Sequence, residues 1–223
     1  MDFLKYLPKL FNTVVSAEYI TFVAALFLLS PKRIGIWRLF IPLLFICILA
    51  ETTGWYQNYF LGINDNALVF NLNYILNTCF TLWMISTAAP LKRFAKRLRL
   101  SILLFLAFAF INMFFFQGTK GYDSSTEVFG DIMCIIASCI FFYSALSENE
   151  YRNLFRYEYF WFVNGVLFYS LGGFVLYLYY VYLKSMGTMS LGASLFKPVN
   201  NILNLLLYSS YIIAFICRNR NTK

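Results

Sequence analysis

Seven apolar runs, each near the length that crosses a bilayer, dominate the chain: 14–31, 35–57, 67–90, 99–117, 127–147, 158–183 and 199–217. A spanning helix needs about 20 mostly apolar residues. Backbone surrounded by lipid must satisfy its own hydrogen bonds, which makes helices the solution for runs of this length. Seven helices and their short loops use up most of the 223 residues and leave no room for an attached globular catalytic domain. The sequence predicts an all-α integral membrane protein with an interfacial segment over 1–13, a seven-helix transmembrane domain over 14–217 and a basic tail over 218–223.

Composition agrees. The chain is 61% hydrophobic and only 13% charged, against about a quarter charged in a soluble domain. Its first apolar run reads as a retained helix rather than a signal peptide. It is long, carries Glu18 and runs directly into Lys32 and Arg33 with no small-residue cleavage site. Before it, Phe3, Leu4, Leu7, Leu10 and Phe11 recur at helical spacing, which suits a helix lying on the membrane surface; a loose terminus is the competing account.

The net charge of +8 is a topology signal, not a nucleic-acid footprint, because the basic residues sit in short loops. The loops after helices one, three and five, with the C-terminal tail, hold thirteen: Lys32, Arg33, Arg38, Lys92, Arg93, Lys96, Arg97, Arg99, Arg152, Arg156, Arg218, Arg220 and Lys223. The N-terminus and the remaining loops hold five: Lys5, Lys9, Lys120, Lys184 and Lys197. Cationic loops stay cytoplasmic, so the N-terminus is expected outside and the C-terminus inside. Aromatic clusters at Trp55–Phe60 and Tyr177–Tyr182 mark the outer headgroup level.

With that orientation each polar residue acquires a depth. Glu18, Glu51, Asn71, Asn73, Asn77, Asn112, Asp131, Asn200, Asn201 and Asn204 all fall toward the outer side, and Asn164 toward the inner. A charge at depth costs about 2.5–3.5 kcal/mol on the mild scale, so such groups face a bundle interior or a wet cavity. Lys197, Asn201, Asn204, Tyr208 and Tyr211 step by helical intervals down helix seven, as do Asn73, Asn77 and Thr81 on helix three and Asp131, Cys134 and Ser138 on helix five. The pattern predicts an acidic cavity opening outward above an apolar plug. Its expected ligand residues are Glu51, Asn73, Asn77, Asp131, Asn201, Asn204 and Tyr208, with Glu18, Asn112 and Asn164 secondary. Glu51 lies deep with no Lys or Arg at its level, so its carboxylate needs a proton, a cation or an amide donor. The competing account makes each asparagine interhelical glue, contributing about 0.6–2 kcal/mol per hydrogen bond.

Helices one to three and five to seven share features in the same order. Glu18 and Asp131 are each followed by a pair of small residues, Ala24-Ala25 and Ala137-Ser138. Gly54 matches Gly172, and Asn73-Tyr-Ile-Leu-Asn77 matches Asn200-Asn-Ile-Leu-Asn204. A parallel repeat of three helices, a linking helix and three more is topologically allowed; chance similarity between apolar stretches is the competing explanation. Gly172-Gly173 serves either as a hinge or, by preference, as a close packing contact.

The chain has no histidine, which excludes histidine-ligated zinc or haem and Ser-His-Asp catalysis. No phosphate-binding loop or nucleophile elbow is present. No lysine stands midway along helix seven for a retinal. Cys47, Cys79, Cys134, Cys139 and Cys217 lack zinc spacing and read as packing residues. No enzyme activity, cofactor or metal is expected.

The stretch Phe160-Trp-Phe-Val-Asn-Gly-Val-Leu-Phe-Tyr169 through Gly172, followed by Asn200–Asn204 and joined by Glu51-Thr-Thr-Gly-Trp55, resembles a loose group of small uncharacterised seven-helix membrane proteins common in Bacteroidota-type bacteria. The resemblance implies an inner-membrane home and a role beside signalling partners, and supplies no catalytic residues. The leading expectation is a receptor-like or sensory module for a small polar or cationic ligand. In that reading Lys92–Arg99, Arg152 and Arg156 meet anionic lipid or a signalling partner. A small-solute or proton-coupled transporter and a structural assembly subunit stay open as alternatives.

Overall fold

The computed structural model describes residues 12–30, 32–62, 66–116, 124–147, 153–185 and 189–222. Among these residues the fold is all helix, with no strand. The surface helix expected before Asn12, and Arg152, lie outside the described residues.

Helix α1 (Thr13–Leu28) opens on Asn12, whose side chain accepts from the Val15 N–H at 3.0 Å; an Asn at this position satisfies a donor the helix leaves orphaned. Pro31 follows closely and discourages continuation of the helix. A 3₁₀ stretch, Lys32–Leu39, leads into α2 (Phe40–Tyr56), which continues through a π turn, Gln57–Leu61. Gly62, at φ 65°, closes that turn in the left-handed conformation that glycine adopts without strain. Next come α3 (Ala67–Ser86), α4 (Ala95–Ile111) with its own π turn Asn112–Phe116, α5 (Ser124–Leu146), α6 (Glu158–Ser185) and α7 (Met189–Asn221).

Six helical stretches are long and apolar enough to cross a membrane: Ile34–Leu61, Ala67–Ser86, Ala95–Phe116, Ser124–Leu146, Glu158–Tyr179 and Phe196–Asn221. The first run, which forms α1, is an apolar helix of only 16 residues. The bundle also displays large apolar side chains outward, among them Phe27, Leu103, Leu104, Phe115 and Val175. Helices apolar on all sides belong in lipid or a large core, so the chain reads as a multi-pass membrane protein.

One boundary differs substantially from expectation. The seventh run was expected to start at 199, with Ser185–Pro198 as a loop, yet α7 starts at Met189 and carries Pro198 inside it. Proline lacks an N–H and usually marks a helix boundary, which is why the sequence pattern misplaces this start.

Neighbouring helices form a ring. Contacts run α1–α2, α2–α3, α3–α5, α5–α6, α6–α7 and α7–α1, while α4 packs outside against α3 and α5. Small residues permit the tightest approaches. A Cβ on Gly165 would lie 2.6 Å from the Ser210 Cβ across α6–α7, and one on Gly54 would lie 2.8 Å from the Phe70 ring across α2–α3. Gly172 likewise packs on Leu203, which favours the packing explanation of this glycine over the hinge.

At one end of the ring, rings of another sort fill the interior. Phe40, fully buried at the start of α2, packs against Trp37, Phe80, Phe162, Tyr211 and Phe215, with centroids 4.9–5.5 Å apart. Beside this seal Arg218 Nη1 donates to Glu158 Oε1 at 2.9 Å and Nη2 to the Ile34 carbonyl at 3.1 Å. The Asn221 amide donates to Glu158 Oε2 and to the Arg156 carbonyl, both at 3.0 Å. This is the basic end of the molecule, where Lys92, Arg93, Lys96, Arg97, Arg99 and Arg156 are exposed.

Candidate functional site

Away from the basic end, the ring encloses a cavity of about 240 Å³ lined from α1, α2, α3, α5, α6 and α7; α4 contributes nothing to its wall. Four carboxylates reach it, Glu18, Glu51, Glu127 and Asp131, and no lysine or arginine is among the described lining residues. Leu43, Leu44, Thr81 and Tyr211 line its floor, and Tyr211 packs on Phe40 at 5.4 Å, so the aromatic seal lies directly below.

Glu18 is 6% exposed. Its Oε1 accepts from the Tyr208 hydroxyl at 2.6 Å, while its Oε2 is buried with no hydrogen-bond partner among the described residues. A buried acceptor left unpaired carries a desolvation penalty that a ligand donor would remove. Asp131, 4% exposed, lies within hydrogen-bonding reach of Ser170 and Tyr74. Two glycines make room for it. A Cβ on Gly173 would sit 2.9 Å from Asp131 Oδ2, and one on Gly130 would sit 2.5 Å from the Tyr74 hydroxyl. Tyr74 is fixed in turn by donating to the Glu127 carbonyl at 2.8 Å.

Two asparagine rungs complete the wall. The Asn77 amide donates to the Asn73 carbonyl at 2.9 Å and to Asn73 Oδ1 at 3.1 Å. The Asn204 amide makes the same pair of bonds to Asn200, at 2.9 and 3.2 Å. Cys47 Sγ donates to Asn77 Oδ1 at 3.5 Å, tying α2 to α3. The rungs are internal to their helices, so their role as interhelical glue is limited to the cysteine contact among the bonds described here.

Of the expected ligand residues, Glu51, Asn73, Asn77, Asp131, Asn204 and Tyr208 all stand in the wall, with Glu18 beside them. Asn201 does not; Asn200 takes its place. The two adjacent asparagines are separated by one helical step, and the residue four before Asn204 is the one that shares its face. Asn112 is buried elsewhere, its amide donating to the Thr126 hydroxyl at 3.3 Å across α4–α5, and acts as glue. Asn164 is half-buried on α6 outside the wall. Lys197, the head of the expected stripe on α7, is exposed. Sequence reasoning missed Glu127, Tyr74, Tyr169 and Ser170. The spacing of Glu127 four residues before Asp131 was the available signal for the first.

Among the described residues no three His, Cys, Asp or Glu side chains gather as a metal site. Comparison with protein-family models, curated proteins and solved structures finds nothing that matches this chain.

Proposed function

We propose that this chain is a receptor-like membrane module that takes a small cationic or polar ligand into the ring cavity from the side opposite its basic end. The observation that carries the proposal is a buried acidic cavity whose Glu18 Oε2 lacks a partner, closed toward the basic end by the Phe40 aromatic cluster. A ligand with N–H donors supplies the missing bonds, and the seal stops it from passing through. In this reading the carboxylates hold the ligand, Asn73, Asn77, Asn200 and Asn204 orient it, and no bond is made or broken. The home membrane in this reading is a bacterial inner membrane, and the distribution of cationic loops supports an N-terminus outside. The exposed cations of Lys92–Arg99 and Arg156 then face anionic lipid or a signalling partner in the cytoplasm.

A carrier is the second reading. It is favoured by the matched arrangement of α1–α3 and α5–α7 about the cavity, as in transporters built from parallel repeats, but it requires the aromatic seal to part. Purified protein screened with small amines, amino acids and sugars separates the two. Thermal stabilisation without uptake into proteoliposomes is the expected result. Uptake abolished by Glu51→Gln would make the chain a carrier. Labelling of a cysteine placed at Arg97, with the native cysteines replaced, is expected only from the cytoplasmic face; labelling from outside would invert the proposed orientation.

A further inference from the structure

The helices around the cavity follow one another in the order α1, α2, α3, α5, α6, α7, with α7 returning to α1. Exchanging the first three for the last three maps these neighbour contacts onto one another, although α3 also touches α6 with no matching contact between α7 and α2 of that size. The α7–α1 contact becomes α3–α5, and α2–α3 becomes α6–α7, all of which are present. In a ring of six, α1 and α5 stand opposite one another, and each brings a buried carboxylate to the cavity, Glu18 and Asp131. Each carboxylate has a phenol from the adjacent helix beside it: Tyr208 donates to Glu18, and Tyr74, which donates to the Glu127 carbonyl, stands within reach of Asp131. Each also has a second carboxylate as its electrostatic neighbour, Glu51 for Glu18 and Glu127 for Asp131. The asparagine rungs on α3 and α7, also opposite in the ring, repeat the same bonds.

We infer that the cavity is a two-ended site for a small organic dication, one ammonium group received at the Glu18–Glu51 wall and the other at the Glu127–Asp131 wall. This rests on the ligand-binding reading above and names its ligand class. An ammonium offers three donors and no acceptor, which matches walls of carboxylate oxygens with an unpartnered Oε2 on Glu18. A single cation would answer only one of two opposed acidic walls. A metal ion needs several ligands converging on one point, and the described residues gather no such group. The volume also fits. An engineered cavity of about 150 Å³ holds benzene, so about 240 Å³ accommodates two amines joined by a chain of about four to six carbons.

The test uses full-length protein in detergent, with binding measured by calorimetry for 1,4-diaminobutane, 1,5-diaminopentane and 1,6-diaminohexane against butylamine, hexylamine and magnesium chloride. At least one diamine is expected to bind about tenfold or more tightly than the monoamine of the same chain length. Asp131→Asn and Glu18→Gln are each expected to reduce diamine affinity about tenfold or more, so that the advantage of the diamine over the monoamine of the same chain length disappears. Should either variant fail to fold, Glu127→Gln and Glu51→Gln make the same comparison from the second carboxylate of each wall. Equal affinity for diamines and monoamines, or binding of magnesium in their place, overturns the two-ended site but leaves a cation cavity standing. If no amine binds and the wider ligand screen gives no stabilisation, the ligand-binding reading itself falls.

Discussion

The two ends of the bundle are made from the same helices yet solve opposite problems. Near the basic end, Phe162 and Phe215 are fully buried around Phe40, the Arg218 Nη atoms find a carboxylate and a carbonyl, and the atoms without a partner among the described residues there include two donors, Arg218 Nε and Trp37 Nε1. Around the cavity the buried groups are carboxylates, and among the described residues Glu18 Oε2 is an acceptor with no donor. Aromatic packing stabilises a fold, whereas a cluster of buried carboxylates costs stability and is retained where a site needs it. On the proposed function, stability and recognition occupy separate levels of this bundle, so substitutions at the two levels should separate into two kinds of defect.

The sharpest way to break the comparison is Phe40→Ala. Removing a buried phenylalanine typically costs about 3–5 kcal/mol, and denaturant unfolding in detergent should show a loss of that size. A loss no larger than that of the cavity variants would mean the seal is not the stabilising level. Arg218→Gln breaks a partly buried charge-assisted bond and is expected to cost about 1.5–3 kcal/mol, read in the same assay. Gly165→Ala forces a Cβ against Ser210, and overpacking of this kind costs about 1–3 kcal/mol; retention of wild-type stability would show that α6 and α7 can part freely. Tyr208→Phe strips Glu18 Oε1 of its donor and should cost about 1 kcal/mol. Glu51→Gln sharpens the comparison from the other side. Its carboxyl is half-buried and isosteric with the amide, so stability should stay within about 0.5 kcal/mol while stabilisation by a diamine falls to that given by the matching monoamine.

Much of this was legible in the sequence because lipid enforces simple rules. Length and apolarity placed α3 at Ala67 and α6 at Glu158, where the structure has them, and helical spacing gathered Asn73, Asn77, Thr81, Asp131 and Cys134 on one wall. Periodicity reports a face but not what lies opposite, so it could not pair Tyr208 with Glu18 or Tyr74 with Asp131. Tyr74 and Tyr169 read as ordinary aromatic packing until their neighbours were known. Trp37 was hidden differently. It sits in the cationic stretch Lys32–Arg38, where a surface residue is the natural reading, yet it is almost wholly buried under Phe40 and Tyr159. The seal was therefore visible as a lack of polarity and invisible as an aromatic cluster. Asn201 lies outside the wall for a smaller reason, since adjacent asparagines offer two helical phases and only the contact with Asn204 chooses between them.

The return of α7 to α1 has a consequence for biosynthesis. Glu18 receives its phenol from Tyr208 and Ile34 its guanidinium from Arg218, so the earliest helices await the last one. A nascent chain inserted through α6 holds an open crescent whose acidic inner face meets lipid or insertion machinery rather than protein. Ring closure therefore waits on α7, whose contacts with α6 and α1 complete the wall.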